Sequence, residues 1–279
     1  MSVLLLLVSV VIGLLVIVVV AAFAGAARFR AAGRERAHEM IASARAESAP
    51  ISEADVAGLP EPVTRWLRRS GAIGRPRVVH ARLVQSGTIR QDAKSGWMRF
   101  EAEQVFIGPK PGFLWTAIVP MSGVPAVAVR DGYVNGRGST LVKALGLFTM
   151  QEVSGPEMDA GALQRYLGEL SWLPTAALNP GIRWEPIDNS SARATITDGA
   201  TTVSGVFEFS EDGDLIHYST RRYRALADGF ALTDQTFTLS EHAVTDGLRV
   251  PRRAMAVWHL PEGDVQTIDM KVEAVGYDR

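Results

Sequence analysis

Trp97–Phe106 reads WMRFEAEQVF, and its alternation decides the fold class. Met98, Phe100, Ala102 and Phe106 occupy the even positions while Arg99, Glu101 and Glu103 occupy odd ones, so an extended segment here has one apolar and one charged face. Gln104 falls on the apolar face, where an amide is out of place in a simple core. The two-residue period returns in Ala192–Thr197, Thr201–Phe209, Leu215–Arg224, Thr233–Glu241, Arg253–Leu260 and Val265–Val275. Asp-Gly pairs at 131–132, 198–199, 212–213 and 246–247 supply turn residues that tolerate positive φ, and Pro261-Glu262-Gly263-Asp264 supplies the last turn. About ten strands are too many for an open twisted sheet to stay flat. The prediction is a mainly β (α+β) chain built on a curved antiparallel sheet or half-barrel.

One helical pattern interrupts the strands. Asp159 is placed as the cap of GALQRYLGELSWL, in which Leu163, Tyr166, Leu167 and Leu170 share a face and Pro174 ends the run two residues after Trp172. An amphipathic helix inside a run of hairpins suits a plug or cover for a curved sheet. Leu141–Phe148 reads as a short helical flap, and Gly136-Arg137-Gly138 as a turn after a hairpin rather than a dinucleotide fingerprint, which would open a βα unit.

Upstream of the strands, Val3–Ala24 is an uncharged apolar run of the length that crosses a hydrocarbon core of about 30 Å. Small residues at Ala22, Ala24 and Ala26 admit a cleaved signal peptide. Against it stand the length of the run, the lack of a preceding Lys or Arg, and the arginines that follow at once. Residues 1–27 are accordingly read as a transmembrane anchor. Arg28, Arg30, Arg34 and Arg36 place the globular domain in the cytoplasm by the positive-inside rule, with an extracytoplasmic domain as the alternative. Residues 28–50, rich in Ala, Arg and Glu, read as a polar, partly helical stalk without an apolar stripe. The folded domain is expected over 51–279. It begins with helical segments to residue 71, where Ser52 and Asp55 form a start signal, Trp66 provides an apolar anchor and Gly71 a stop.

Composition narrows the chemistry. Lys+Arg 29 against Asp+Glu 30 gives a net charge of -1, which offers no clustered basic surface for nucleic acid. With no cysteine, thiolate nucleophiles, disulfides and Cys-ligated metals are excluded. No phosphate loop, G-x-S-x-G elbow or H-E-x-x-H helix occurs, and nothing asks for a cofactor. His217, His242 and His259 lie on neighbouring strands without ligand-like spacing and read as hydrogen-bonded imidazoles. Glu101 and Glu103 share a strand face where two carboxylates can divide acid and base roles, but Arg99 beside them favours a solvated face. Arg165 and Glu169, four residues apart, pair along the inserted helix and, if clasped by the sheet, can orient the polar end of a ligand.

The stretches GWMRFEAEQ (96–104), GFLWTA (112–117), DGYVNGRGS (131–139), MDAGALQRYLGELSWLPTA (158–176) and GLRVPRRAMAVWHLP (247–261) resemble a family of uncharacterised bacterial proteins classed as a domain of unknown function. The likeness runs from about Leu59 to the C-terminus, with Glu169–Pro174 its most specific mark, and it implies no catalytic residue. By fold analogy, a curved sheet with an inserted helix looks like the half-barrels of lipoprotein carriers. These readings lead to a membrane-anchored binding protein whose curved sheet holds a lipid or other apolar molecule. Trp97, Gln104, Trp115, Arg165, Tyr166, Glu169, Trp172 and Trp258 are the candidate ligand-binding residues. The alternatives are an enzyme acting near the membrane through Arg165, Glu169, Glu101 and Glu103, and a membrane-associated scaffold that recruits a protein partner.

Overall fold

The structure, a computed structural model, describes residues 3–44, 49–226 and 229–278. Helix α1 (Val3–Ser43) is followed by two short helices, α2 (Glu53–Val56) and α3 (Glu61–Arg69). The Ser52 backbone amide donates to the Asp55 carboxylate at 2.7 Å, as the start signal requires. Trp66 docks α3 between Trp184 and Phe209, with ring centroids 6.4 and 5.8 Å away. Gly71, at φ 76°, turns the chain out of that helix.

Six strands follow: β1 (His80–Ile89), β2 (Met98–Ile107), β3 (Gly112–Met121), β4 (Val124–Val134), β5 (Arg137–Ala144) and β6 (Phe148–Ser154). Helix α4 (Pro156–Gly168) and two 3-10 segments at 169–172 and 174–178 come next. The second half of the sheet contains β7 (Ile182–Pro186), β8 (Ser191–Asp198), β9 (Thr201–Phe209), β10 (Leu215–Leu226), β11 (Gly229–Ser240), β14 (Arg253–Leu260) and β15 (Gly263–Asp278). A separate hairpin, β12 (Ala243–Thr245) with β13 (Leu248–Val250), turns at Asp246-Gly247, where both φ angles are positive.

Thirteen strands form one antiparallel half-barrel in the order β6-β5-β4-β3-β2-β1-β15-β14-β11-β10-β9-β8-β7. The first and last strands pair at its centre, so β6 and β7 are opposite edges. The chain must pass from one edge to the other, and α4 makes that passage across the concave side. This topology explains the helix inside the run of hairpins. Its apolar side and the aromatics of both sheet halves fill the concavity as one cluster that includes Phe106, Phe113, Tyr166, Trp172, Phe207 and Tyr218.

Three local expectations differ. Asp131-Gly132 lies within β4 rather than in a turn, with Asp131 opposite Trp115 and Gly132 opposite Leu114. Leu141–Phe148 is not helical; it closes the β5–β6 hairpin around Leu145-Gly146, both at positive φ. Helix α4 begins at Pro156, so Asp159 sits in its first turn and accepts the Gly138 amide at 2.7 Å instead of capping.

The segment read as a stalk also packs differently from the expectation. Helix α1 continues without a break to Ser43, and Ala22, Gly25, Ala26, Phe29, Gly33, Ala37 and Met40 are buried along one side; residues 45–48 lie outside those described. Ala26 and Phe29 meet Ile118 and Ala128, while Ala37 and Met40 meet Val105, Ile107 and Leu114. The stripe consists largely of small residues, which bring the helix axis close to the convex face but carry little hydrophobic signal. Gly33 is required by this approach, since a Cβ there would stand 2.6 Å from Thr116 Oγ1. Arg30 pairs with Glu101 at 3.3 Å, and Arg34 donates to Glu103 at 2.9 Å, holding that carboxyl below its ordinary range through the guanidinium hydrogen bond. These contacts explain why β3 is buried on both faces from Gly112 to Val119. A Cβ on Gly25 would overlap the Leu145 carbonyl oxygen. Gly25→Leu is therefore expected to undock the helix and raise the rate of tryptic cleavage at Arg30 and Arg34 in the full chain. Unchanged protection would show that the docking contact is dispensable.

Candidate functional site

The polar groups of the concavity form a connected chain. Gln104 on β2, Trp115 on β3, Asp131 on β4 and Thr140 on β5 are cross-strand neighbours in one row. Trp115 Nε1 donates to Gln85 Oε1 at 2.8 Å, Gln85 Nε2 to Gln104 Oε1 at 3.0 Å, and Gln104 Nε2 to Glu169 Oε2 at 2.7 Å. Arg165 donates from Nε to Glu169 Oε1 at 2.8 Å and from Nη1 to Asp131 Oδ2 at 3.0 Å, and Thr140 donates to the other Asp131 oxygen at 2.8 Å. The Arg165 guanidinium also stacks over Phe113 and Trp115, 4.9 and 5.1 Å from their centroids. Burial works to lower its pKa, but Glu169 and Asp131 together outweigh that and hold it above the ordinary arginine value.

The second half of the sheet grips the opposite side of α4. Gln164 Nε2 reaches Ser204 O at 2.7 Å and Tyr218 Oη at 2.6 Å. Arg222 Nε donates to Gly161 O at 2.8 Å, and its pKa is pushed down to about 10 by burial and by the nearby Arg165 cation. Two cations thus face two carboxylates around the helix, and each carboxylate oxygen of Glu169 and Asp131 already accepts a hydrogen bond. Such an arrangement locks α4 in place between the two halves of the sheet.

Six of the eight residues predicted to bind ligand come together in this core. Gln104, Trp115, Arg165 and Glu169 are linked directly, Tyr166 donates to Ile107 O at 3.0 Å, and Trp172 Nε1 donates to Pro251 O at 2.9 Å. The other two lie apart from the linked group. Trp97 is 43 % exposed near the start of β2 and carries Arg90 over its ring, while Trp258 is partly buried on β14 opposite Gln235. The enzyme candidates Glu101 and Glu103 are on the convex face, engaged by α1. The histidines are separately bonded: His242 to Leu215 O, His217 to Thr238 and His259 to Asp264 and Thr236. Sequence reading missed Asp131, concealed in an apparent turn, and Gln85, Gln164 and Arg222. Their signal was a polar side chain at an inward position of a strand or helix, as at Gln104.

Ligand-sized space lies at the rims. A cleft of about 890 Å³ opens between the end of α1 (Met40, Ala44), the β2–β3 and β4–β5 turns (Pro109, Arg137), the start of α4 and the β8–β9 turn. A second, of about 590 Å³, lies where β9 and β10 diverge beyond Ser219. None of the eight predicted residues lines either cleft.

Residues 49–270 match DUF6544, described as a family of unknown function, which bears out the family resemblance read from the motifs. No curated protein matches the chain in sequence. Solved structures similar to it include a LolA superfamily protein from Nitrosomonas europaea, with 12% identity, TM-score 0.40 and coverage of 76% of this chain and 94% of that one. A DUF1329 family protein from Desulfovibrio piger has 12% identity, TM-score 0.48 and coverage of 82% and 94%. A beta-barrel-like protein of domain of unknown function DUF1849 from Brucella abortus has 11% identity, TM-score 0.25 and coverage of 73% and 99%.

Proposed function

The chain belongs to the DUF6544 family, whose function is unknown, and from its geometry we propose a membrane-tethered binding protein that takes a small amphipathic molecule into the 890 Å³ rim cleft. That cleft carries the reading. Its volume falls within the roughly 300–1,000 Å³ typical of small-molecule sites. Its wall combines Met40, Ile107, Pro109, Val134 and Pro156 with Lys110, Arg137, Asp159 and Asp198, a surface for a ligand with an apolar body and a polar end. The tether is the apolar part of α1, whose exposed N-terminal portion is long and apolar enough to cross a membrane. The four arginines after it favour a cytoplasmic domain.

The ligand comes from the aqueous side. Met40 lies sixteen residues past Ala24, about 24 Å along a helix rising about 1.5 Å per residue, so a bilayer lipid does not reach the cleft by lateral diffusion. An acyl chain in the concavity itself would require α4 to leave, breaking its links to both halves of the sheet. Native mass spectrometry of the full chain released from nanodiscs tests the proposal. A stoichiometric small-molecule adduct is expected, together with its loss in Ala200→Trp, which fills this cleft from the β8–β9 turn at a position that does not line the second one. Absence of an adduct after exposure to cell extract, or its persistence in Ala200→Trp, would overturn the rim-cleft reading.

A further inference from the structure

We infer that two hairpin tips of the half-barrel, at Met121 and at Leu147–Met150, sit in the bilayer interface beside the apolar helix, so that the domain is held to the membrane at more than one point. The inference rests on the anchor reading above and adds the lipid surface as the occupant of a patch that the fold leaves bare.

The argument begins with the direction of β3. Met40 approaches Gly112, Gly33 faces Thr116, and Ala26 with Phe29 meets Ile118, so β3 runs antiparallel to α1 along the convex face. Beyond Ile118 the strand continues for three residues, about 10 Å at roughly 3.3 Å each. The same distance is about six or seven helical residues, which counted back from Ala26 and Phe29 carries Met121 to the level of Val19–Phe23, in the last part of the apolar run. The β5–β6 tip is placed independently, because Leu145 and Leu147 press directly on Gly25.

The side chains at this level suit lipid. Met121 is 58 % exposed, and Phe148 and Met150 are each 66 % exposed, although a folded domain ordinarily buries such groups. Trp97 lies toward the same end, since β2 and β3 are antiparallel with Glu101 opposite Ile118, so the start of β2 and the end of β3 extend in one direction. An exposed tryptophan beside Arg90, with Lys94 on the same loop, matches the composition of the membrane–water boundary. The patch is continuous with the helix that enters the bilayer, which is why a lipid surface rather than a protein groove is its partner.

The absence of cysteine from the chain makes the test direct. Ile12→Cys, Met121→Cys, Phe148→Cys and Val244→Cys variants would each be labelled with an environment-sensitive NBD dye. The full chain would then be reconstituted in phosphatidylcholine–phosphatidylglycerol vesicles containing doxyl-phosphatidylcholine. Val244, exposed on β12, is the aqueous reference. Blue-shifted emission and several-fold stronger quenching at Ile12, Met121 and Phe148 than at Val244 is the expected result. Lipid-like signals at Ile12 with aqueous signals at either Met121 or Phe148 would overturn the two-tip seat and leave the anchor standing. An aqueous signal at Ile12 would overturn the anchor and, with it, this inference.

Discussion

Arg165→Met is expected to lower the unfolding free energy by about 3–5 kcal/mol, the cost of leaving buried charge uncompensated. The substitution keeps most of the apolar stem that covers Phe113 and Trp115 but removes the cation to which Asp131 and Glu169 are both bonded. Two carboxylates then remain next to each other in the concavity, 23 % and 8 % exposed, with Arg222 further along the helix as the remaining cation. Adding Asp131→Asn and Glu169→Gln should restore a large part of the loss, because a buried ionic network replaced as a whole costs far less than one broken at a single member. Urea unfolding of the three chains, with the denaturant slope checked for constancy, measures both effects. A stable Arg165→Met protein would show that α4 does not depend on this network. Loss of a bound molecule at unchanged stability would instead move the ligand into the concavity and away from the rim.

Trp172→Ala should be comparably severe, at about 3–5 kcal/mol for a large aromatic removed from a packed core. Trp172 is 2 % exposed, its indole donates to Pro251 O, and its own carbonyl accepts Tyr277 Oη at 2.9 Å. These bonds join the segment after α4 to the loop before β14 and to the last strand, so the indole fixes where the crossing chain lands. Trp172→Phe keeps most of the apolar volume and forfeits the indole hydrogen bond, for an expected loss of about 1–3 kcal/mol while Pro251 O stays unpaired. Equal stability of the Ala and Phe variants would contradict a packing role. The Glu-Leu-Ser-Trp-Leu-Pro signature is thus explained by structure: Glu169 closes the polar chain, Trp172 fills the core and Leu173 packs beside it.

Much of the half-barrel was legible because strands with one buried and one wet face advertise themselves. β2 does so through Phe100, Ala102 and Phe106, and the turns at 198–199, 212–213 and 246–247 follow from Asp-Gly chemistry. Gln104 was legible as a misfit, and the misfit proved to be a link in the polar chain. Asp131 was not, since Asp-Gly inside a strand has the same letters as Asp-Gly in a turn. There Gly132 lies close under Leu114, and Asp131 is stabilised by Arg165, thirty-four residues away. The docking of α1 left a different trace. Gly112–Val119 lacks alternation, as a strand covered on both faces does, but nothing local names the covering element.

By itself, the sequence determined the classes of element: an apolar span, an amphipathic helix and many alternating strands. These depend on periodicities within a single segment, which residue order records directly. Tertiary structure alone decided three things. The first and last strands meet at the centre of the sheet, so its edges are β6 and β7 and the inserted helix must cross the concavity. The helix of small residues lies on the convex face, and the ligand-sized space is at the rim rather than under the aromatics. Each depends on pairing or close approach between residues far apart in the chain, where backbone hydrogen bonds and packed volume, rather than local pattern, set the outcome.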